Sequence, residues 1–117
     1  MHMWISLAAL FGFLGVALGA FGAHALKARL GEALPIWQTA VLYHLVHAVA
    51  MLAVALYGKS TGQGIGVIVA FFAAGVLLFS GSLYILAITG IKALGAVTPL
   101  GGLCFLIGWA ALAWRFR

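Results

Sequence analysis

Acidic residues are almost missing from this chain. Among 117 residues there is one, Glu32, against six Lys and Arg. Only 6% of residues are charged, where a soluble domain carries about 25%. Such a chain cannot cover a water-facing surface. The single acid also leaves no pair of carboxylates for general acid–base work and no carboxylate cage for a hard metal. Cysteine is limited to Cys104, so no intrachain disulfide can form, and compartment cannot be read from cysteine usage. Proline occurs twice, at positions 35 and 99, each beside a long apolar run. The net charge of +5 would suggest nucleic acid in a soluble protein. Here the basic residues stand singly in turns and near Arg117, where they meet lipid phosphates, so nucleic acid is not an expected partner.

What is abundant is apolar. Hydrophobic residues make up 67% of the chain, and the mean hydropathy is +1.27. A helix needs about 20 apolar residues to cross the hydrocarbon core, and the pattern predicts four spans, roughly 4–26, 37–57, 65–89 and 98–114. The fold class expected is therefore all-α, a single four-helix bundle integral to the membrane. Ala23-His24-Ala25 resembles a signal-peptidase site. The segment before it has no Lys or Arg and is longer than a signal core of about 7–15 residues, so it reads as a span.

Glycines punctuate the first span at 12, 15, 19 and 22. At about 100° per residue they fall within about 80° of one another, and Gly15 and Gly19 form a GxxxG pair, a seam that lets a second helix approach closely. Gly75 in the third span, and Gly101 and Gly108 in the fourth, are read as packing positions in the same way. These seams predict a homo-oligomer. Pro35 separates spans one and two. Thr98-Pro99 reads as an N-cap followed by proline at the first helical position.

The polar residues are not scattered. In span two, Thr39, Tyr43, His44 and His47 share one face, while Leu42, Leu45, Val49, Leu52 and Leu56 share the other. Placed by depth, His24, Gln38, Thr39, Tyr43, His44, Tyr84, Thr89 and Thr98 fall in the leaflet that holds turns one and three. His47, Ser80 and Ser82 sit near the midplane. The expectation is a one-sided polar chamber, with His24, Thr39, Tyr43, His44, His47, Ser80, Ser82 and Tyr84 as candidate ligand-binding residues. His24 lies about 160° from the glycine seam on a straight helix, so either the helix bends near Gly22 or His24 faces a different neighbour. The positive-inside count ties, with Lys27, Arg29 and Lys92 on one side and Lys59, Arg115 and Arg117 on the other.

His44 and His47 at i, i+3 have the spacing to share a metal. The supporting ligands on offer are His24, which is shallower, and Cys104. The simpler reading is that both imidazoles hydrogen-bond Ser80, Ser82, Tyr84 or a carbonyl and fasten the bundle. Intramembrane ionisable residues also suggest proton handling or an organic ligand. Phe79-Ser80-Gly81-Ser82-Leu83-Tyr84 lacks the G-x-S-x-G frame of a hydrolase elbow and any acid to orient a histidine. No catalytic residue is assigned, and no cofactor is expected, with a metal or small organic ligand as the exception.

Phe21-Gly22-Ala23-His24-Ala25-Leu26-Lys27, Thr39-Ala40 with Tyr43-His44 and His47-Ala48, Leu78-Phe79-Ser80-Gly81-Ser82-Leu83-Tyr84, and Thr98-Pro99-Leu100-Gly101-Gly102 with Gly108-Trp109 occur in that order. In these motifs the chain resembles domain of unknown function 423, the YgdD-like family of small bacterial inner-membrane proteins, which has related four-helix proteins in eukaryotes. The resemblance covers nearly the whole chain. It implies a four-helix protein of the bacterial inner (plasma) membrane, and it implies no reaction. The reading is a non-enzymatic membrane protein that binds a small ligand or partner, such as another membrane protein, at the polar chamber. The alternatives are a structural or assembly protein whose polar face only packs the bundle, and an oligomeric transporter or proton-handling protein.

Overall fold

The computed structural model describes residues 2–117. Among them there is no strand, and four helices are long and apolar enough to cross a membrane. The first span is α1 (His2–Ala23). A short α2 (Lys27–Leu30) and a 3₁₀ turn (Gly31–Ala33) lead into α3 (Leu34–Thr61). The third span is α4 (Gly66–Gly75), a π turn (Val76–Ser80) and α5 (Gly81–Thr89). A second 3₁₀ turn (Lys92–Ala96) precedes α6 (Thr98–Arg115).

The helix ends differ from the sequence expectation for local reasons. Pro35 lies in the first turn of α3 rather than before it, where its missing N–H costs no hydrogen bond. At the far end α3 runs through Gly58 and Lys59 to Thr61 and stops at Gly62, whose φ of 72° lets its N–H reach back to the Gly58 carbonyl. Gly90, with φ 71°, ends α5 in the same way through the Leu86 carbonyl. Thr98 is not the N-cap expected of it. The chain is already in α-helical conformation at Val97, whose carbonyl accepts from Leu100 and Gly101, so the Thr98 hydroxyl is left for other use.

The molecule measures 47 × 26 × 19 Å. Its long axis matches a bilayer with its headgroup regions, about 40–45 Å. The central element is α3, with α1 on one flank and the third span on the other, and α6 closes against the third span. The α1–α3 contact runs antiparallel. A Cβ at Gly15 would meet Leu45 and His44, at Gly19 it would meet Val41 at 3.1 Å, and at Gly22 it would collide with the Trp37 indole. The GxxxG seam is therefore occupied within the chain. Gly12 departs from the expectation: nothing lies within 4 Å of a Cβ there, because beyond Gly15 the buried side of α1 is carried by Phe11 and Ala8.

Gly75, Gly101 and Gly108 do pack. Gly75 accommodates Phe105, Gly108 accommodates Phe72, and Gly101 lies directly on the main chain of Phe79 inside the π turn. Two further contacts were not expected: Gly58 on Ile65 and Gly66 on Trp4. One apolar cluster gathers Phe11, Ala48, Met51, Val69, Phe72 and Phe105, and a second gathers Leu30, Trp37 and Ala87. His47 packs on Phe72 and Phe105 of the first cluster, and Tyr84 packs on the second.

Candidate functional site

The inner face of α3 carries both histidines. His44 is 4% exposed and His47 is 5% exposed, so each ring nitrogen must find its partner inside the protein. His44 Nε2 is 2.8 Å from the Phe11 carbonyl of α1, and Nδ1 is 2.9 Å from the Tyr84 hydroxyl of α5. A carbonyl only accepts, so Nε2 carries a proton; with no acidic side chain in α1, α3, the third span or α6 to balance an imidazolium, the ring is taken as neutral, and the Tyr84 hydroxyl donates to bare Nδ1. In His47 the pattern is reversed. Nδ1 is 2.8 Å from the Tyr43 carbonyl, and the Trp109 indole N–H, which only donates, is 3.0 Å from Nε2. Here Nδ1 carries the proton. Two neutral imidazoles one turn apart thus hold opposite tautomers, and all four nitrogens are used. His44 ties α1, α3 and α5 together, and His47 ties α3 to α6.

Further polar ties flank these two. Ser80 donates to the Ala40 carbonyl at 2.7 Å, and the Ser82 and Thr98 hydroxyls meet at 2.6 Å between α5 and α6. The Trp37 indole donates to the Leu18 carbonyl at 2.9 Å. Ser80 lies at the end of the π turn, where Gly81 N–H reaches the Val76 carbonyl five residues back. Among the described residues, no buried side-chain nitrogen or oxygen lacks a partner.

The expected residues therefore divide into three groups. His44, Ser80, Ser82 and Tyr84 come together in the bundle interior, bonded to one another or to neighbouring carbonyls. They form cross-ties rather than the walls of an open chamber. Tyr43 and His47 stand at its edge. Thr39 and His24 do not join: Thr39 is exposed and returns its hydroxyl to the Pro35 carbonyl, and His24 is exposed just beyond Ala23, where α1 has already ended. No group of three His, Cys, Asp or Glu suited to a metal occurs among the described residues. A metal on the bare nitrogens of His44 and His47 would have to displace the Tyr84 hydroxyl and the Trp109 indole, with neither His24 nor Cys104 grouped with them. The hydroxyls of Ser80 and Ser82 are bonded to Ala40, Phe79 and Thr98, not to a histidine.

At the edge of this network a groove of about 520 Å³ opens toward lipid, lined by Tyr43, His47, Phe79, Phe105, Leu106 and Trp109 among others. Its floor is aromatic. His47 and Phe105 stack with centroids 3.6 Å apart, and Tyr43 and Phe79 lie at 4.6 Å. Phe79, Phe105 and Trp109 were not foreseen as neighbours of the histidines. Trp109 carried a weak signal, an indole on the same helix as Phe105 one turn on, but its partner is 62 residues away.

Residues 18–102 match the family described as "Protein of unknown function (DUF423)". The chain belongs to this family. It is 45% identical over 113 residues to the UPF0382 membrane protein YwdK of Bacillus subtilis, covering 93% of this chain and 91% of that protein. A UPF0382 membrane protein of Haemophilus influenzae is 43% identical over 114 residues, covering 97% of this chain and 92% of the relative. SAB0533 of Staphylococcus aureus, another UPF0382 membrane protein, is 40% identical, with 96% and 93% covered. No solved structure matches. Together with the four spans, these relatives make the chain an integral membrane protein of the DUF423 family. The matched stretch contains His44, His47, Ser80, Ser82, Tyr84 and Thr98. Of the two remaining partners, Phe11 contributes only a carbonyl, which any residue supplies, and Trp109 lies beyond residue 102.

Proposed function

We propose that this DUF423 protein is a non-enzymatic binding protein of the bacterial inner (plasma) membrane, and that it takes its ligand in the aromatic groove beside His47. The observation that carries this reading is the inventory of polar groups along the groove. His47 has spent both nitrogens and Trp109 its N–H. Tyr43 enters the network only through its carbonyl, so among the described residues its hydroxyl has no partner. A phenol facing hydrocarbon without a partner is costly. It suits an apolar molecule with one hydrogen-bond acceptor, held against Phe79, Phe105 and Leu106. The volume lies in the range of small-molecule sites, about 300–1,000 Å³. The interior ties act as scaffold and not as the binding groups, and the absence of an acid from every span speaks against catalysis. Self-association is a separate part of the proposal: with Gly15, Gly19 and Gly22 used inside the chain, a second copy would have to meet another face.

Native mass spectrometry of protein released in mild detergent tests this. Wild type should retain an apolar adduct. Leu106→Trp fills the groove at a position already 68% exposed, and it should lose the adduct with unchanged melting. Tyr43→Phe should weaken it by roughly tenfold, the worth of one well-made hydrogen bond. Wild type released without any adduct, or an adduct indifferent to Leu106→Trp, would overturn the groove as the site.

A further inference from the structure

A second cavity, of about 710 Å³, lies at the opposite end of the bundle from turns one and three. Gly64, Ile65, Gly66, Val67 and Ile68 form one wall, and Ala111, Trp114, Arg115 and Arg117 form the other. Its two halves differ in chemistry. Deeper in the membrane the walls are apolar, made by Ile68, Val67 and Ala111. At the mouth stand Arg115, whose guanidinium lies 5.9 Å over the neighbouring Phe116 ring, and Arg117. The Arg117 Nη1 donates to the Trp114 carbonyl at 2.6 Å, and the group sits 4.1 Å above the Trp114 ring. A Cβ at Gly64 would meet nothing within 4 Å, so the mouth stays open. The only acidic side chain, Glu32, is at the other end of the bundle.

We propose that this cavity binds one anionic phospholipid, with its phosphate between Arg115 and Arg117 and an acyl chain along Val67, Ile68 and Ala111. Charge complementarity decides the occupant. Two cations at a headgroup-level mouth select a net negative headgroup over a zwitterionic one, and the apolar walls below select a lipid over a free phosphate. This site is independent of the aromatic groove.

The test is a titration of delipidated protein in a neutral detergent, read by native mass spectrometry. The probes are phosphatidylglycerol, phosphatidylcholine and inorganic phosphate. Phosphatidylglycerol should bind at least tenfold more tightly than phosphatidylcholine. Each basic residue near a membrane surface contributes about fivefold, so Arg115→Gln with Arg117→Gln should lose roughly 25-fold for phosphatidylglycerol, with melting unchanged because both side chains are exposed. Lys59→Gln removes a cation from the same membrane side but outside the cavity, and it should leave binding unaltered. Equal affinity for the two lipids, an equal loss in Lys59→Gln, or retention of binding in the double arginine variant would each overturn the site. Inorganic phosphate binding as tightly as phosphatidylglycerol would overturn the lipid as its occupant.

Discussion

Gly101→Ala should unfold the α6 contact, at a cost of about 3 kcal/mol, the upper end of what overpacking normally costs. The reason is what the new methyl would strike. At Gly75 and Gly108 a Cβ runs into the rings of Phe105 and Phe72, which are side chains and not main chain. At Gly101 it runs into the amide nitrogen and Cα of Phe79. Those atoms belong to the π turn, which cannot retreat without breaking the bond from Gly81 to Val76 and moving Ser80 off the Ala40 carbonyl. Gly102→Ala is the matched control. Its Cβ meets only Phe79 Cδ2, at 3.9 Å, and alanine in place of a helical glycine gains up to about 1 kcal/mol. Denaturant unfolding of the purified protein in detergent should therefore show Gly101→Ala strongly destabilised and Gly102→Ala equal to wild type or better.

His44→Ala should cost about 2–4 kcal/mol, more than any single intramembrane hydrogen bond is worth. Such bonds average about 0.6 kcal/mol, with a maximum near 1.7. The excess arises because the variant leaves the Tyr84 hydroxyl without its acceptor, at about 1–3 kcal/mol for a buried polar group left unmade. It also opens a cavity beside Phe11, whose ring meets the imidazole edge at a centroid distance of 6.1 Å. A double-mutant cycle with Tyr84→Phe separates these terms. If the His44–Tyr84 bond is made as described, the coupling should fall at about 0.6–1.7 kcal/mol, and Tyr84→Phe should rescue part of the loss in His44→Ala. Strict additivity would mean that the two side chains do not meet.

The parts of this structure legible in the sequence are those fixed by period and composition. Four apolar runs gave four spans, because lipid leaves a chain with one acid no alternative. The division of α3 into a His44/His47 face and a Leu42/Val49/Leu56 face followed from helical spacing, and the Gly15–Gly19–Gly22 seam did too. What could not be read depends on where distant segments meet. Residues 76–80 are an ordinary apolar run with nothing to mark a π turn, which is accompanied in the fold by Gly101 on Phe79 and by Ser80 on Ala40. Thr98 looked like an N-cap because its local pattern is one, yet its hydroxyl is spent on Ser82 across the bundle. Nothing local to Trp109 marks a partner for its indole, which completes His47 from another helix. Of the residues gathered by depth, His44, Ser80, Ser82 and Tyr84 meet in the bundle interior, and Thr39 and His24 stay outside it. Depth says nothing about whether polar groups face one another or a space between them, so an expected chamber became a set of cross-ties, with the open volume displaced to an aromatic groove at its edge.

The central claim is that His44 and His47 are neutral, oppositely protonated and fully bonded inside the protein. Nitrogen-15 NMR of the imidazole rings in lipid bilayers reads this directly, with each ring assigned by the loss of its signals in His44→Gln and His47→Gln. The account predicts a protonated Nε2 and bare Nδ1 for His44, with the reverse for His47. An imidazolium at either position, or the same tautomer at both, would contradict it and return the histidines to the ranks of groups held ready for a proton or a metal.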